Sequence, residues 1–146
     1  SKFVNPHSVT LTLKQSVVVR YGQSSIHNRI SPDRAVRNFR HFMNRLNRRV
    51  YGHSFSRHGK RVQVIPVLEG GGPTRFHYHC VIDCPRAELS DTFPNIIREC
   101  WLHTDYGYDQ IDVQPRSDGG WVNYISKFRT KSEFDQSIDW TNLHQH

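Results

Sequence analysis

The residues with the clearest chemical potential are two histidines, His77 and His79, in the stretch RFHYHCVID at residues 75–83. The stretch is typical of a half-buried β-strand, in which successive side chains point to opposite faces. Both imidazoles should therefore emerge side by side, while Tyr78 and Cys80 point the other way. Two adjacent imidazoles are a candidate pair of metal ligands.

Glu69 is the candidate third ligand. It ends the apolar stretch RVQVIPVLE, and the glycine-rich sequence GGGPT that follows it predicts a hairpin into the histidine strand. Such a hairpin would return the carboxylate to the imidazoles, and two nitrogens with an oxygen suit a divalent cation. A structural zinc site needs four closing ligands, which this spacing does not supply. Cys80 and Cys84 are expected to be small buried residues, since Cys80 points away from the histidines.

A second reactive group is expected on a later helix, in the sequence YISK at residues 124–127. The apolar stripe of this helix consists of Trp121, Val122, Ile125 and Phe128. Tyr124 lies at the edge of the stripe, and at about 100° per residue Lys127 lies about 60° further toward solvent. The phenol can therefore face a cleft. Ordinary packing is the alternative for an aromatic residue at such a position.

These groups must be positioned by secondary structure, and the N-terminal half predicts one strand and one long helix. Residues 9–15, VTLTLKQ, alternate apolar and polar side chains, which is typical of a strand with one buried face. We expect a polar loop over residues 21–30. Ser31 then supplies an N-cap and Pro32 a first-turn residue for a helix that ends at Gly52. The apolar stripe of this helix is Val36, Phe39, Phe42 or Met43, Leu46 and Val50.

The remaining sequence predicts two strands, a helix, a strand and the YISK helix. Residues 53–60 are expected to form a polar turn before the strand that ends at Glu69. Ser90 or Asp91 can cap the second helix, and a short strand over residues 108–114 follows it. This order predicts an α+β domain. We expect an antiparallel central sheet of about five strands with flanking helices, in a ferredoxin-like or RRM-like arrangement.

Length and composition exclude several classes of protein. A chain of 146 residues is the size of one domain, and we expect residues 1–146 to be the N-terminal part of a longer protein. No apolar run approaches the length of a membrane span, and the N-terminus lacks the pattern of a secretion signal. The three cysteines therefore argue against a disulfide framework and for a reducing compartment.

Positive charge is concentrated in one part of the chain. The formal net charge is +7, and ten of the 20 Lys and Arg residues lie between Arg29 and Arg61, against one acid, Asp33. Such a concentration is expected for a protein that binds a polyanion. A solvated surface is the alternative interpretation of a charge run.

Taken in chain order, the VTLTL strand, RFHYHCVID and YISK resemble the three motifs of the HUH endonucleases. This superfamily comprises rolling-circle replication initiators and their transposase and relaxase relatives. The initiator branch carries an acid shortly upstream of the histidines, where this chain has Glu69, and a Y-x-x-K pattern that Tyr124 and Lys127 match. Two-nucleophile enzymes carry a second tyrosine three or four residues from the first. Lys127 and Phe128 hold those positions here, so the chain resembles the single-tyrosine type.

The resemblance implies an enzyme that nicks and joins DNA. A divalent ion, Mn²⁺ or Mg²⁺, would be held by His77, His79 and Glu69 and would polarise the scissile phosphate. Tyr124 would attack one strand, giving a 5′-phosphotyrosine and a free 3′ hydroxyl that can later reverse the reaction. A phenol with a reference pKa of about 10 needs a positive field, which the metal or Lys127 would supply. Such an enzyme initiates and terminates rolling-circle replication.

The resemblance also implies the binding partners. Single-stranded or hairpin origin DNA would cross the sheet and contact Lys14, Arg75 and Arg129, while arginines of the first helix would hold phosphates. Phe76 and the tyrosines near it in space would be candidates for base stacking. A helicase domain or host replication proteins are further expected partners, the isolated domain is expected to be monomeric, and no membrane partner is expected. The protein would be cytoplasmic for a plasmid or phage, nuclear for a eukaryotic virus, and not secreted.

Three alternatives remain at this point. A transposase or relaxase would share the chemistry. A non-catalytic RRM-like binder would explain the basic charge, but it would leave the histidine pair, Glu69 and the Tyr-x-x-Lys pattern as coincidences. A hydrolase that activates water at the histidines would release free 5′ phosphates and form no bond between protein and DNA.

Overall fold

The computed structural model describes residues 3–116 and 137–146. Within these ranges the elements are β1 (Pro6–Leu13), β2 (Ser16–Tyr21), β3 (Ser24–Arg29), α1 (Pro32–Tyr51), α2 (His53–His58), β4 (Val64–Gly71), β5 (Thr74–Asp83), α3 (Phe93–Leu102) and β6 (Gly107–Pro115), with a 3₁₀ turn at Ala87–Leu89 before α3. The predicted helix over residues 117–131, which carries Tyr124 and Lys127, lies outside the described residues.

The main sheet contains four described strands in the order β4-β5-β1-β6, and every neighbouring pair is antiparallel. Strand β5 lies between β1 and β4, and β1 lies between β5 and β6, so two β-α-β units interlock as in ferredoxin-like folds. The predicted α+β class and antiparallel sheet are confirmed. The sequence predicted about five strands; the described residues give four in this sheet and two more in the separate β2–β3 hairpin.

The hydrophobic core lies between one face of the sheet and the helices α1 and α3. Its buried side chains from β1 and β5 are Val9, Leu11, Leu13, Tyr78, Cys80 and Ile82. Helix α1 contributes the predicted stripe, and its ends are as predicted: the Ser31 hydroxyl accepts from the Arg34 N–H at 3.2 Å, and Gly52 ends the helix with φ +57°. The Trp101 indole on α3 donates to the Thr12 carbonyl at 2.9 Å.

Three local predictions were wrong. Residues 21–30 are not a loop, because β2 and β3 form a hairpin that turns at Gly22 with φ +62°. The strand SSIHNR is polar on both faces, so it carries no alternating pattern. Residues 53–60 contain the short helix α2, which buries no residue and therefore shows no apolar period. The N-cap of α3 is Thr92 rather than Ser90 or Asp91.

Residues 137–146 run along the outer edge of β4. Ile138 and His144 form isolated bridges with Val67 and Val64. The Asp139 carboxylate then reaches the helix side of the sheet, where it accepts from the Tyr78 hydroxyl at 2.8 Å and the Asn142 amide at 2.6 Å. Among the described helices, none has the length and apolar content needed to cross a membrane.

Candidate metal centre

Three neighbouring strands position the candidate ligands on the sheet face that α1 and α3 leave uncovered. In the antiparallel register Glu69 pairs directly with His77, and His79 pairs with Val67 on one side and Thr10 on the other. Directly opposite residues share a face of the sheet. The period of two therefore points Glu69, His77 and His79 away from the core, as the sequence predicted, while Tyr78 and Cys80 are buried in it.

The three side chains converge on one point. One ligand atom from each of Glu69, His77 and His79 lies within 4.8 Å of the other two. The His77 Nε2 atom is 3.7 Å from a Glu69 carboxylate oxygen, and the side chains of His77 and Glu69 are only 20% and 21% exposed. The two imidazole rings lie 4.7 Å apart between centroids and nearly perpendicular, at 88°. The cluster is thus a partly shielded group with access from solvent.

Hydrogen bonds to the far side of each ring orient the imidazoles. The His77 Nδ1 atom lies 3.0 Å from the Arg75 carbonyl oxygen, which can only accept, so Nδ1 carries the proton. The His79 Nδ1 atom lies 3.3 Å from the Thr10 hydroxyl. With Nδ1 donating in both residues, both Nε2 atoms present lone pairs. Second partners of this kind are typical of metal-bound histidines, because they fix the ring and its tautomer.

The donor set fits a divalent cation with open coordination positions. Metal–ligand bonds to imidazole nitrogen and carboxylate oxygen are about 2.0–2.2 Å long, so small side-chain movements would let one ion contact all three residues. Nitrogen and oxygen ligands without thiolates suit Mn²⁺ and, less strongly, Mg²⁺. Three protein ligands leave room for a substrate oxygen. All three cysteines are free and buried, and Cys80 faces the core.

The glycines of the β4–β5 turn are required for Glu69 to reach the histidines. The register shifts between Glu69 and Gly71, where Gly70 and Gly71 have φ of +100° and +101°. A Cβ on Gly70 would lie 2.5 Å from the Arg75 carbonyl oxygen. That carbonyl is the acceptor of the His77 ring, so a side chain at Gly70 would disturb both the turn and the orientation of a ligand.

Two of the predicted DNA-binding residues lie at the end of the sheet that carries the cluster. The Arg75 guanidinium stacks over the Tyr108 ring, 4.4 Å from its centroid, and donates to the Leu13 carbonyl at 3.4 Å. Lys14 follows β1 immediately and is exposed, and its backbone N–H donates to the Tyr106 carbonyl at 2.7 Å. The structure therefore brings Arg75 and Lys14 together near the cluster. Arg129 lies outside the described residues.

The described tyrosines and Phe76 divide into buried and accessible groups. Burial raises the pKa of Tyr78, whose hydroxyl bonds to Asp139 on the core side. Tyr106 is buried and donates to the Asn28 carbonyl at 3.1 Å, and Phe76 packs against the core. Only Tyr108 of these lies partly exposed at the end of the sheet near Arg75, so it is the one aromatic of this set with access to a base.

The arginines of α1 do not line the cluster. The helix packs on the opposite face of the sheet, through residues such as Phe39 and Leu46. The expectation that these arginines hold phosphates of DNA crossing the site is therefore wrong, because the sheet separates them from Glu69 and the histidines. The sequence placed the apolar stripe of α1 correctly but did not indicate which face of the sheet it covers.

Sequence reasoning missed two contributors to the site, the Thr10 hydroxyl and the Arg75 carbonyl. The alternation in VTLTL does place Thr10 on the polar face of β1. Its contact with His79, however, depends on which residue of β5 pairs with it, and that register joins residues 69 positions apart. A backbone carbonyl carries no sequence signal at all.

Comparison with known families supports a role in replication. A family model described as Replication-associated protein ORF2 matches residues 6–133, a range that includes the cluster and the YISK sequence. Neither the curated proteins nor the solved structures gave a match.

Proposed function

Because this chain belongs to the Replication-associated protein ORF2 family, we propose that it is a metal-dependent endonuclease and strand transferase that nicks and rejoins single-stranded origin DNA in rolling-circle replication. The observation that carries the proposal is the convergence of Glu69, His77 and His79 within 4.8 Å on an accessible sheet face. Membership of a replication-associated family favours an initiator over a transposase or relaxase.

The cluster supplies the charge that the reaction needs. A divalent ion bound there would act as a Lewis acid toward an oxygen of the scissile phosphate. Glu69 contributes one negative charge and the two imidazoles are neutral, so the ligand set leaves the centre with net positive charge. His77 and His79 are held by Arg75 and Thr10, which limits the movement of their Nε2 atoms. The residues therefore present a fixed electrophilic position beside the strand end that carries Arg75 and Lys14.

Tyr124 is the proposed nucleophile, with Lys127 beside it. The phenol loses its proton, and its oxygen forms a bond to phosphorus as the bond to the 3′ oxygen breaks. The departing 3′ oxygen takes up a proton, and the 5′ phosphate stays on the tyrosine. One phosphoester replaces another, so the 3′ hydroxyl can later attack and restore the DNA strand. The Lys127 ammonium lowers the cost of forming the phenolate.

The flanks of the segment support this assignment. Arg116 at the β6 edge donates to the Ser8 hydroxyl at 2.8 Å, on the same face as the cluster, and Ile138 pairs with Val67 on β4 at the opposite edge. The other face is already covered by α1 and α3. A connection over the face that holds the cluster would bring Tyr124 near the ligands.

A gel assay tests the proposal. The protein is incubated with a pool of 3′-labelled single-stranded oligonucleotides of random sequence and Mn²⁺ or Mg²⁺, and the products are separated in detergent. We expect cleavage with a slower, detergent-resistant band, since the tyrosine retains the 3′-labelled fragment. The band should disappear with Tyr124→Phe and persist with the control Tyr108→Phe, which keeps the ring beneath Arg75. Cleavage without any such band would contradict the proposal and favour a water-activating hydrolase.

A further inference from the structure

The exposed cations of α1 form a single stripe along the helix. Its members, spaced three or four residues apart, are Arg34, Arg37, His41, Arg45 and Arg48. Residues at this spacing lie above one another on one side of a helix. Asp33 is the only acid in α1. The metal-centred reaction does not use this stripe, because α1 lies on the other face of the sheet.

The stripe forms one wall of a continuous groove. The facing wall consists of the β2–β3 hairpin, through Val17 and Val19, and of the turn between α3 and β6, through His103 and Asp105. Adjoining depressions along the groove share His41 and Asp105 in one place and the stripe arginines Arg45 and Arg48 in the next. We call this feature the α1 groove.

The α1 groove is strongly positive. Among the described groove residues, the four arginines of the stripe face one carboxylate, Asp105, because Glu99 is paired with Arg49 at 2.8 Å. The Arg34 guanidinium also donates to the Arg29 carbonyl at 2.6 Å, which fixes it at the start of the groove without neutralising it. Like charges held side by side repel one another, and a polyanion would relieve that repulsion.

The shape and chemistry of the groove fit a duplex better than a single strand. Proteins that hold single strands stack bases on exposed aromatic rings. The aromatic residues nearest the groove, Phe39, Phe42 and Tyr106, are all buried. From Arg34 to Arg48 the helix rises about 21 Å, which matches about six base-pair steps of double-stranded DNA. Cations spaced along a straight helix, without stacking partners, suit contacts to phosphates alone.

The groove begins at the end of the sheet that carries the cluster. The N–H of Ile30 donates to the Gln15 carbonyl at 2.8 Å, so the start of α1 is tied to the residues that follow β1, next to Lys14. Thr12 near the end of β1 pairs with His77. DNA that leaves the cluster past Lys14 and Arg75 therefore meets the entrance of the groove.

We propose that the α1 groove binds the phosphate backbone of double-stranded DNA that flanks the nicked strand. The inference rests on the proposed function for the identity of the DNA, but its binding surface is separate from the metal centre. Contacts of this kind hold DNA without reading its sequence. The groove would thus anchor the duplex part of an origin while the single-stranded part reaches the cluster.

The test compares two triple variants with equal loss of charge. The groove variant is Arg37→Gln, Arg45→Gln and Arg48→Gln. The control variant replaces three exposed cations that do not line the groove, Arg57→Gln, Lys60→Gln and Arg98→Gln. Binding to a 20-base-pair duplex of arbitrary sequence is measured by fluorescence anisotropy over a range of salt concentrations without added metal. Thermal melting by circular dichroism checks that both variants fold.

We expect the groove variant to bind the duplex about tenfold more weakly, and to lower the slope of log K against log salt by two to three, at about 0.9 for each phosphate that is no longer neutralised. The control should change both quantities much less. Nicking of a short single strand by the groove variant should stay within about twofold of wild type. Equal losses in the two variants, or an unchanged slope, would overturn the proposal, as would a larger loss for single strands than for duplex. Failure of nicking in the wild type would instead contradict the proposed function, since duplex binding is measured without it.

Discussion

The contact between Thr10 and His79 gives a sharp test of the metal centre. Replacing Thr10 with Val keeps the size of the side chain and its preference for a strand, but removes the hydroxyl that lies 3.3 Å from the His79 Nδ1 atom. His79 would then lose the partner that orients its ring and holds the proton on Nδ1. Metal affinity should fall, because the population with Nε2 facing the other ligands falls.

The size of the effect follows from the geometry. Loss of a second partner of a metal-bound histidine costs about 10–100-fold in affinity. The 3.3 Å contact is long for a hydrogen bond, and one neutral hydrogen bond contributes about 0.5–1.5 kcal/mol. We therefore expect the low end of the range, about a tenfold weaker affinity for Mn²⁺. His77 should be unaffected, since its partner is a backbone carbonyl.

Titration calorimetry with Mn²⁺ measures the change directly, and Thr12→Val is the matched control. Thr12 lies on the same face of β1 and pairs with His77, but among the described residues its hydroxyl forms no hydrogen bond to a histidine ring. An unchanged affinity in Thr10→Val would refute the role assigned to the hydroxyl. An equal loss in both variants would refute it too, because the cause would then be a general change in the sheet.

Three further predictions concern the turn, the core and the thiols. Gly70→Ala should destabilise the fold by about 1–3 kcal/mol in urea titration and weaken Mn²⁺ binding, since φ is +100° and the Cβ would meet a carbonyl of β5; Gly72→Ala, with open space around it, should leave Mn²⁺ binding intact. Tyr78→Phe should cost about 1–3 kcal/mol of stability, because buried Asp139 loses a donor, yet leave Mn²⁺ affinity unchanged; a large change in affinity would contradict the assignment of the phenol to the core side. Burial raises the pKa of Cys100 to about 11, so at pH 8 only about one thiol in a thousand is ionised, and the native protein should react with iodoacetamide far more slowly than the unfolded chain at pH 8, with the rate rising as pH increases; rapid labelling of native Cys100 at pH 8 would contradict its burial.

The part of the site built from local patterns could be predicted from the sequence. The period of two in RFHYHCVID fixes which side His77 and His79 share, and a hairpin with glycines at its turn pairs Glu69 with His77 almost by symmetry. Helix α1 was predictable because Ser31 and Gly52 are strong end signals around a regular apolar stripe. These features depend on residues close together in the chain.

The rest depends on pairings between distant residues. The β2–β3 hairpin was missed because only its inner residues, such as Val17, contact the core, so its second strand looks like a polar loop. The position of α1 behind the sheet follows from the way β1, β4 and β5 interlock, which no local pattern records. The same uncertainty led to the wrong assignment of the α1 arginines to the metal centre, and their actual position defines the α1 groove.

The most direct test of the proposed reaction is to identify the residue that carries the DNA. Protein incubated with single-stranded oligonucleotides and Mn²⁺ is digested with trypsin and nuclease, and the peptide that retains a nucleotide is sequenced by mass spectrometry. We predict a 5′-phosphoryl bond to Tyr124, formed by the wild type and lost in His77→Ala. Attachment to any other residue, or equal adduct formation in His77→Ala, would contradict the account.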